Sequence, residues 1–185
     1  MAEYYLISQL PSLDGIHENA PLPISEERFA ELCKRFLAKK TQEAIRGLTL
    51  SPPRNYERSG SSLIDHFNES ERNLRFALGK IRAEKLKKPF DTENRILPAA
   101  YIKAASTAIE MENPLEAEKY LNDFRLEILE TLRPVDGFSE EYIFYYGLRL
   151  KLMSRIRQFN TELGEKAYRS IYSSILNGDR MEAIS

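Results

Sequence analysis

Cys33 is the only cysteine, so no disulfide can close within the chain, which fits a reducing compartment. Histidine is almost as scarce. His17 and His66 stand far apart, and apart from Asp65 beside His66 neither has a ligand at metal-binding spacing. The eight glycines are scattered, so none forms the glycine-rich turn that cradles a phosphate ahead of a helix. No apolar run approaches the roughly 20 residues of a membrane span, and Met1 to Leu10 lack the basic start and apolar core of a signal peptide. Nor is there an excess of one charge: 27 basic residues face 28 acidic ones, which leaves no whole-molecule field to draw nucleic acid or anionic lipid. These absences point to a cytoplasmic protein, any membrane association of which would be through a partner or a surface. No catalytic, cofactor-binding or metal-binding residue is expected.

With 185 residues, 42% of them apolar and 30% charged, the chain has ordinary globular composition and room for one core. We expect a single all-α domain over residues 1–185, an irregular helical bundle with a short extended N-terminal segment at Tyr4-Tyr5-Leu6-Ile7. Ser25, followed by Glu26 and Glu27, is an N-cap with acidic residues at the positive end of the helix dipole, so a helix is expected to about Ala38. Residues 48–61 carry Pro52, Pro53 and Gly60 and suit a mobile loop.

From Ser62 to Lys88 there is no proline, and Leu63, Phe67, Leu74, Leu78 and Ile81 recur on one helical side. Pro98 opens an alanine-rich helix that ends near Asn113. Asn113-Pro114-Leu115-Glu116 then combines a cap, a proline at the first helical position and a glutamate three residues after the cap, with Leu121, Phe124, Ile128 and Leu132 as the buried stripe. Ser139-Glu140-Glu141 starts a helix to about Asn160, and Thr161 caps a last one ended by Asn177-Gly178.

Chemistry-bearing groups have plain structural roles open to them. Cys33 suits a buried, inert thiol better than a nucleophile activated by Lys34 or Arg35. Glu110, Glu112, Glu116 and Glu118 surround a helix start, where solvated carboxylates favour the dipole. The basic run Lys80, Arg82, Lys85, Lys87 and Lys88 suits a helix C-terminus. A second basic cluster, Arg149, Lys151, Arg155 and Arg157, is interleaved with a seam of Tyr142, Tyr145, Leu152, Ile156 and Phe159, and Arg149 falls in the middle of that seam. Arg149 either pairs with a carboxylate or reaches water, or it anchors a partner protein. Tyr142, Tyr145, Tyr146, Arg149 and Arg155 are therefore the candidate interface residues.

Several stretches together resemble a known family. Tyr4-Tyr5-Leu6-Ile7-Ser8-Gln9-Leu10-Pro11 is followed by Ile24-Ser25-Glu26-Glu27 and Phe29; then come Leu74 to Leu86 with Arg82-Ala83-Glu84, Asn113-Pro114-Leu115-Glu116-Ala117-Glu118, and Tyr146-Gly147-Leu148-Arg149-Leu150-Lys151-Leu152. As an ordered set they resemble a family of small bacterial helical proteins encoded beside V-type ATPases and similar to the C (or d) subunit of those motors. The resemblance implies an all-helical, non-catalytic piece of a rotary motor involved in ion transport, with central-stalk and membrane-ring subunits as partners. The C subunit itself is about twice as long and built of repeated helical units, so this chain would match only part of it. A helical adaptor unrelated to any ATPase is the alternative, and nucleic-acid binding through the basic clusters is a third.

Overall fold

The computed structural model describes residues 2–16, 20–53, 57–91, 95–158 and residue 169. Seven helices run in order: α1 (Ala2–Ile7), α2 (Glu26–Phe36), α3 (Lys39–Arg46), α4 (Ser62–Lys85), α5 (Ala99–Glu110), α6 (Pro114–Thr131) and α7 (Glu140–Gln158), with no strand among the described residues. The fold is an all-α helical bundle. The expected last helix from Thr161 to Asn177, together with Phe159 and His17, lies outside the described residues.

Local signals start these helices where expected. The Ser25 hydroxyl accepts from the Arg28 backbone N–H at 3.1 Å, Asn113 Oδ1 accepts from Leu115 at 3.0 Å, and Ser139 Oγ accepts from Tyr142 at 3.2 Å. Each satisfies one of the donors that a helix start leaves without a partner. The start of α4 is served twice, by Ser61 Oγ accepting from Ile64 and by Glu141 Oε2, which accepts from both Ser61 Oγ at 2.8 Å and Leu63 N–H at 3.2 Å. Glu140 bonds Thr41, so the first turn of α7 is fastened to α3 and α4 together.

The N-terminal segment is helical rather than extended. Six residues are too few to hold a helix by propensity, and α1 persists because Leu6 is fully buried, a contribution on the order of 2 kcal/mol. α3 was not expected either, since it starts at Ala38 without a side-chain cap and opens on two lysines. It exists because Ile45 and Thr41 face the core. Within residues 48–61, Leu48 and Pro52 are buried, and Arg75 of α4 donates to the Pro52 carbonyl at 2.8 Å.

The helices pack as two layers joined through α4 and α6. In the larger one, α7 is the central element, in contact with α1, α2, α3, α4 and α6. Every residue from Ile143 to Leu148 is buried, so α7 has no solvent face over that stretch, and its one-sided seam was too narrow a description. Gly147 is what permits this: a Cβ there would lie 2.8 Å from Leu48 and 3.1 Å from Phe29. In the smaller layer, Ala104, Ala105 and Ala108 of α5 let it approach Leu74, Ala77 and Leu78 of α4. The buried stripe of α6 is Leu121, Asn122, Arg125 and Leu129, with Phe124, Ile128 and Leu132 only half-buried. The stripe is rotated because Arg125 is drawn inward by a carboxylate on α4.

Candidate functional site

The residues expected to form an interface on α7 are occupied inside the molecule. Tyr145 and Tyr146 are only 2% and 4% exposed. The Tyr146 hydroxyl donates to the Pro11 carbonyl at 2.9 Å, and that of Tyr145 donates to Glu130 Oε2 at 2.5 Å. Arg149 donates to Asp14 at 2.6 Å and to the Tyr145 hydroxyl at 2.9 Å, and lies 3.6 Å from Glu130. Arg155 bonds Glu118 at 2.6 Å, while half-buried Tyr142 packs its ring 5.7 Å from that of Tyr145. The partner-anchor reading of Arg149 gives way to the pairing one, because five helices surround α7 and the chain supplies the carboxylates itself.

This network has marked electrostatics. Burial, reinforced by the bond to Glu130, pushes the Tyr145 hydroxyl up to about 12, while the same bond helps hold Glu130 below the usual glutamate range. Desolvation works against the charge of Arg149, yet Tyr145 and Asp14 outweigh it and raise its pKa. A cleft of about 190 Å³ opens beside the network, lined by Leu13, Leu129, Tyr145 and Arg149 among others. Its polar groups are already paired with one another, which is the signature of a structural clasp holding residues 11–16 on α7.

The remaining candidates fall into place similarly. Cys33 is buried, and desolvation pushes its thiol up to about 12, far from the thiolate a nucleophile needs. His66 is exposed on α4, and Glu110, Glu112 and Glu116 face solvent. No group of three or more His, Cys, Asp or Glu able to hold a metal occurs among the described residues. No described helix is long and apolar enough to cross a membrane.

The surface that stands out involves residues sequence patterning did not single out as a site. Tyr4, Tyr5 and Phe138 are 55%, 57% and 53% exposed, and Val135, three residues before Phe138, is fully exposed. Tyr4 packs on Phe138 with centroids 4.9 Å apart, and Tyr5 meets Tyr4 edge-on at 6.0 Å. Local geometry explains the ledge. Leu6 takes the inner face of α1, which turns Tyr4 and Tyr5 outward. Before α7, Asp136 Oδ1 accepts from the Phe138 N–H at 2.9 Å and the Asp136 carbonyl accepts from Ser139 Oγ at 2.8 Å, a tight turn that projects Phe138 toward Tyr4.

Three half-exposed rings leave on the order of 300 Å² of aromatic surface in water, comparable to the largest patch on a typical monomer and often functional. The signal was available in the sequence as two adjacent tyrosines, but their exposure depends on α1 being a helix. In comparisons with protein-family models, with curated proteins and with solved structures, nothing matches this chain.

Proposed function

We propose that this chain is a non-catalytic, protein-binding subunit whose contact surface is the aromatic ledge of Tyr4, Tyr5 and Phe138. The observation that carries this reading is the mutual packing of these rings while each stays more than half exposed. Tyrosines suit protein contacts, since each offers an apolar face and a hydroxyl at low entropic cost. Leaving them in water is unfavourable unless a partner covers them.

The partners we propose are the central-stalk and membrane-ring subunits of a bacterial V-type ATPase. In support, the stretch Tyr4 to Pro11 that carries part of the family resemblance also contains two of the ledge rings. The chain would then sit on the cytoplasmic face of the inner membrane, held there by those subunits.

The test is affinity capture of the tagged chain from gently solubilised membranes of its native host, with mass spectrometry of what is recovered. Motor stalk and ring subunits in fixed ratio support the proposal. Recovery of a soluble partner alone favours the adaptor alternative, and recovery of nothing removes the protein-binding reading.

A further inference from the structure

The reversal between α2 and α3 gathers cations that the fold does not use. Lys34 and Arg35 lie in the last turn of α2, where the negative end of the helix favours them. After Phe36, Leu37 and Ala38, the residues Lys39 and Lys40 open α3, whose first turn has no acidic residue and no side-chain cap. There the helix dipole opposes both charges. All four cations are exposed, as is Ala38 between them, so the corner stands out from the bundle. None of the four forms an ion pair among the described residues.

The carboxylates next to them in the chain do not cancel this charge. Glu31, one turn before Arg35, is paired with Arg28 at 3.0 Å. Glu43, one turn after Lys39, is the single carboxylate of α3. From Lys34 to Lys40 the chain carries four positive charges and no negative one, while its overall charge is −1, so the rest of the molecule is negative on balance. The corner is also held in place. Thr41, directly after Lys40, donates to Glu140 in the first turn of α7, two residues past Phe138. The basic corner and the turn that carries Val135 and Phe138 therefore occupy one end of the bundle.

We propose that the α2–α3 corner is a contact for the headgroups of an anionic lipid surface, with Lys34, Arg35, Lys39 and Lys40 at the level of the phosphates. Three of the four cations are lysines, and the kind of partner follows from that. Lysine is a strongly hydrated point charge without the fixed fork of arginine, and it is depleted in protein interfaces. Clustered lysines are nevertheless drawn to anionic membranes, which need no pocket to receive them. Single-stranded nucleic acid would use aromatic faces between the cations. The ring within this stretch, Phe36, is half-buried, and the Arg35 guanidinium lies 5.3 Å over it. A plane of headgroups asks nothing of that ring. The inference goes beyond the protein contact proposed above, since it gives the chain a lipid contact of its own. The two are compatible, because a membrane-embedded partner on the ledge would bring headgroups to the same end of the bundle.

The test floats the full chain with vesicles of phosphatidylcholine alone and of phosphatidylcholine with about 30 mol% phosphatidylglycerol, in low salt and in about 0.5 M salt. Binding is expected to the anionic vesicles only, and it should be lost in high salt. Lys39→Gln with Lys40→Gln should weaken it at least about tenfold. The same variant should keep or raise the melting temperature, because the dipole opposes both charges. Adding Lys34→Gln and Arg35→Gln should abolish binding. Lys87→Gln with Lys88→Gln removes two exposed charges just past α4 and should bind as the wild type does.

The proposal is overturned by no binding to anionic vesicles, by equal binding to neutral ones, by undiminished binding of the four-site variant, or by equal weakening in the Lys87, Lys88 variant. A single-stranded oligonucleotide that binds through the same four residues more tightly than the vesicles replaces it with a nucleic-acid site. Salt-sensitive capture of an acidic protein through those residues, with no vesicle binding, replaces it with a protein contact. Vesicles hold no protein, so failure here leaves the partner-capture reading untouched, and failure of that capture leaves the lipid contact standing.

Discussion

Arg125 of α6 donates from Nε to Glu71 Oε1 of α4 at 2.8 Å, and the two side chains are 8% and 3% exposed. Arg125 also bonds Asn122 at 3.0 Å and lies 3.6 Å from Glu118, which in turn accepts from Arg155 of α7 at 2.6 Å. This relay ties α4, α6 and α7 together where the two layers meet. Glu71 Oε2 has no hydrogen-bond partner among the described residues, and burial raises the Glu71 pKa against the opposing pull of Arg125.

Such a pair orders helices more than it stabilises them, because both charges give up hydration. Arg125→Met should cost about 3 to 5 kcal/mol, since it strands the buried Glu71 carboxylate, and Glu71→Leu less, since Arg125 keeps Asn122 and Glu118. The double variant should recover most of that loss. Urea unfolding of all four proteins checks it, and additive losses would show that the two residues stabilise independently.

Gly147 faces Leu48 and Phe29 at distances that leave no room for a methyl group. Alanine is the better helix former by about 1 kcal/mol, but overpacking a filled core costs about 1 to 3 kcal/mol. Leu48 and Phe29 are both buried and have little freedom to yield. Gly147→Ala should therefore destabilise by up to about 2 kcal/mol, measured by chemical denaturation. A more stable variant would mean that α7 is less tightly surrounded than described.

The Tyr145 hydroxyl has a folded pKa of about 12 because burial and the bond to Glu130 both disfavour the phenolate, against an unfolded value of about 10. Its contribution is fully present below pH of about 10 and is lost as pH rises through the folded value. Tyr145→Phe should cost about 1 to 2 kcal/mol at neutral pH, and the gap to wild type should close over that alkaline range. Urea midpoints followed across pH check this. A gap that stays constant would show that the hydroxyl does not couple to folding.

Much of the bundle was legible because its signals are local. Ser25, Asn113 and Ser139 cap as their contexts predict, and Leu63, Phe67, Leu74 and Leu78 all turn inward on α4. What was not legible depends on tertiary partners. α1 is helical because Leu6 finds the core, and the α6 stripe is rotated because Glu71 draws Arg125 inward. Arg149 looked like a possible anchor because its carboxylates, Asp14 and Glu130, lie far from it in sequence. The ledge escaped notice because the contact of Tyr4 with Phe138 joins opposite ends of the described chain.

If the aromatic ledge is a contact surface, quantitative affinity capture from solubilised membranes should separate the wild-type chain from a Tyr4→Ser, Phe138→Ser double variant. Both rings are more than half exposed, so the variant should keep the wild-type melting temperature within a few degrees. Stalk and ring subunits of a V-type ATPase should come down with the wild type, and about tenfold less of them with the variant. Equal recovery by the two proteins, at matched stability, would contradict a contact at the ledge.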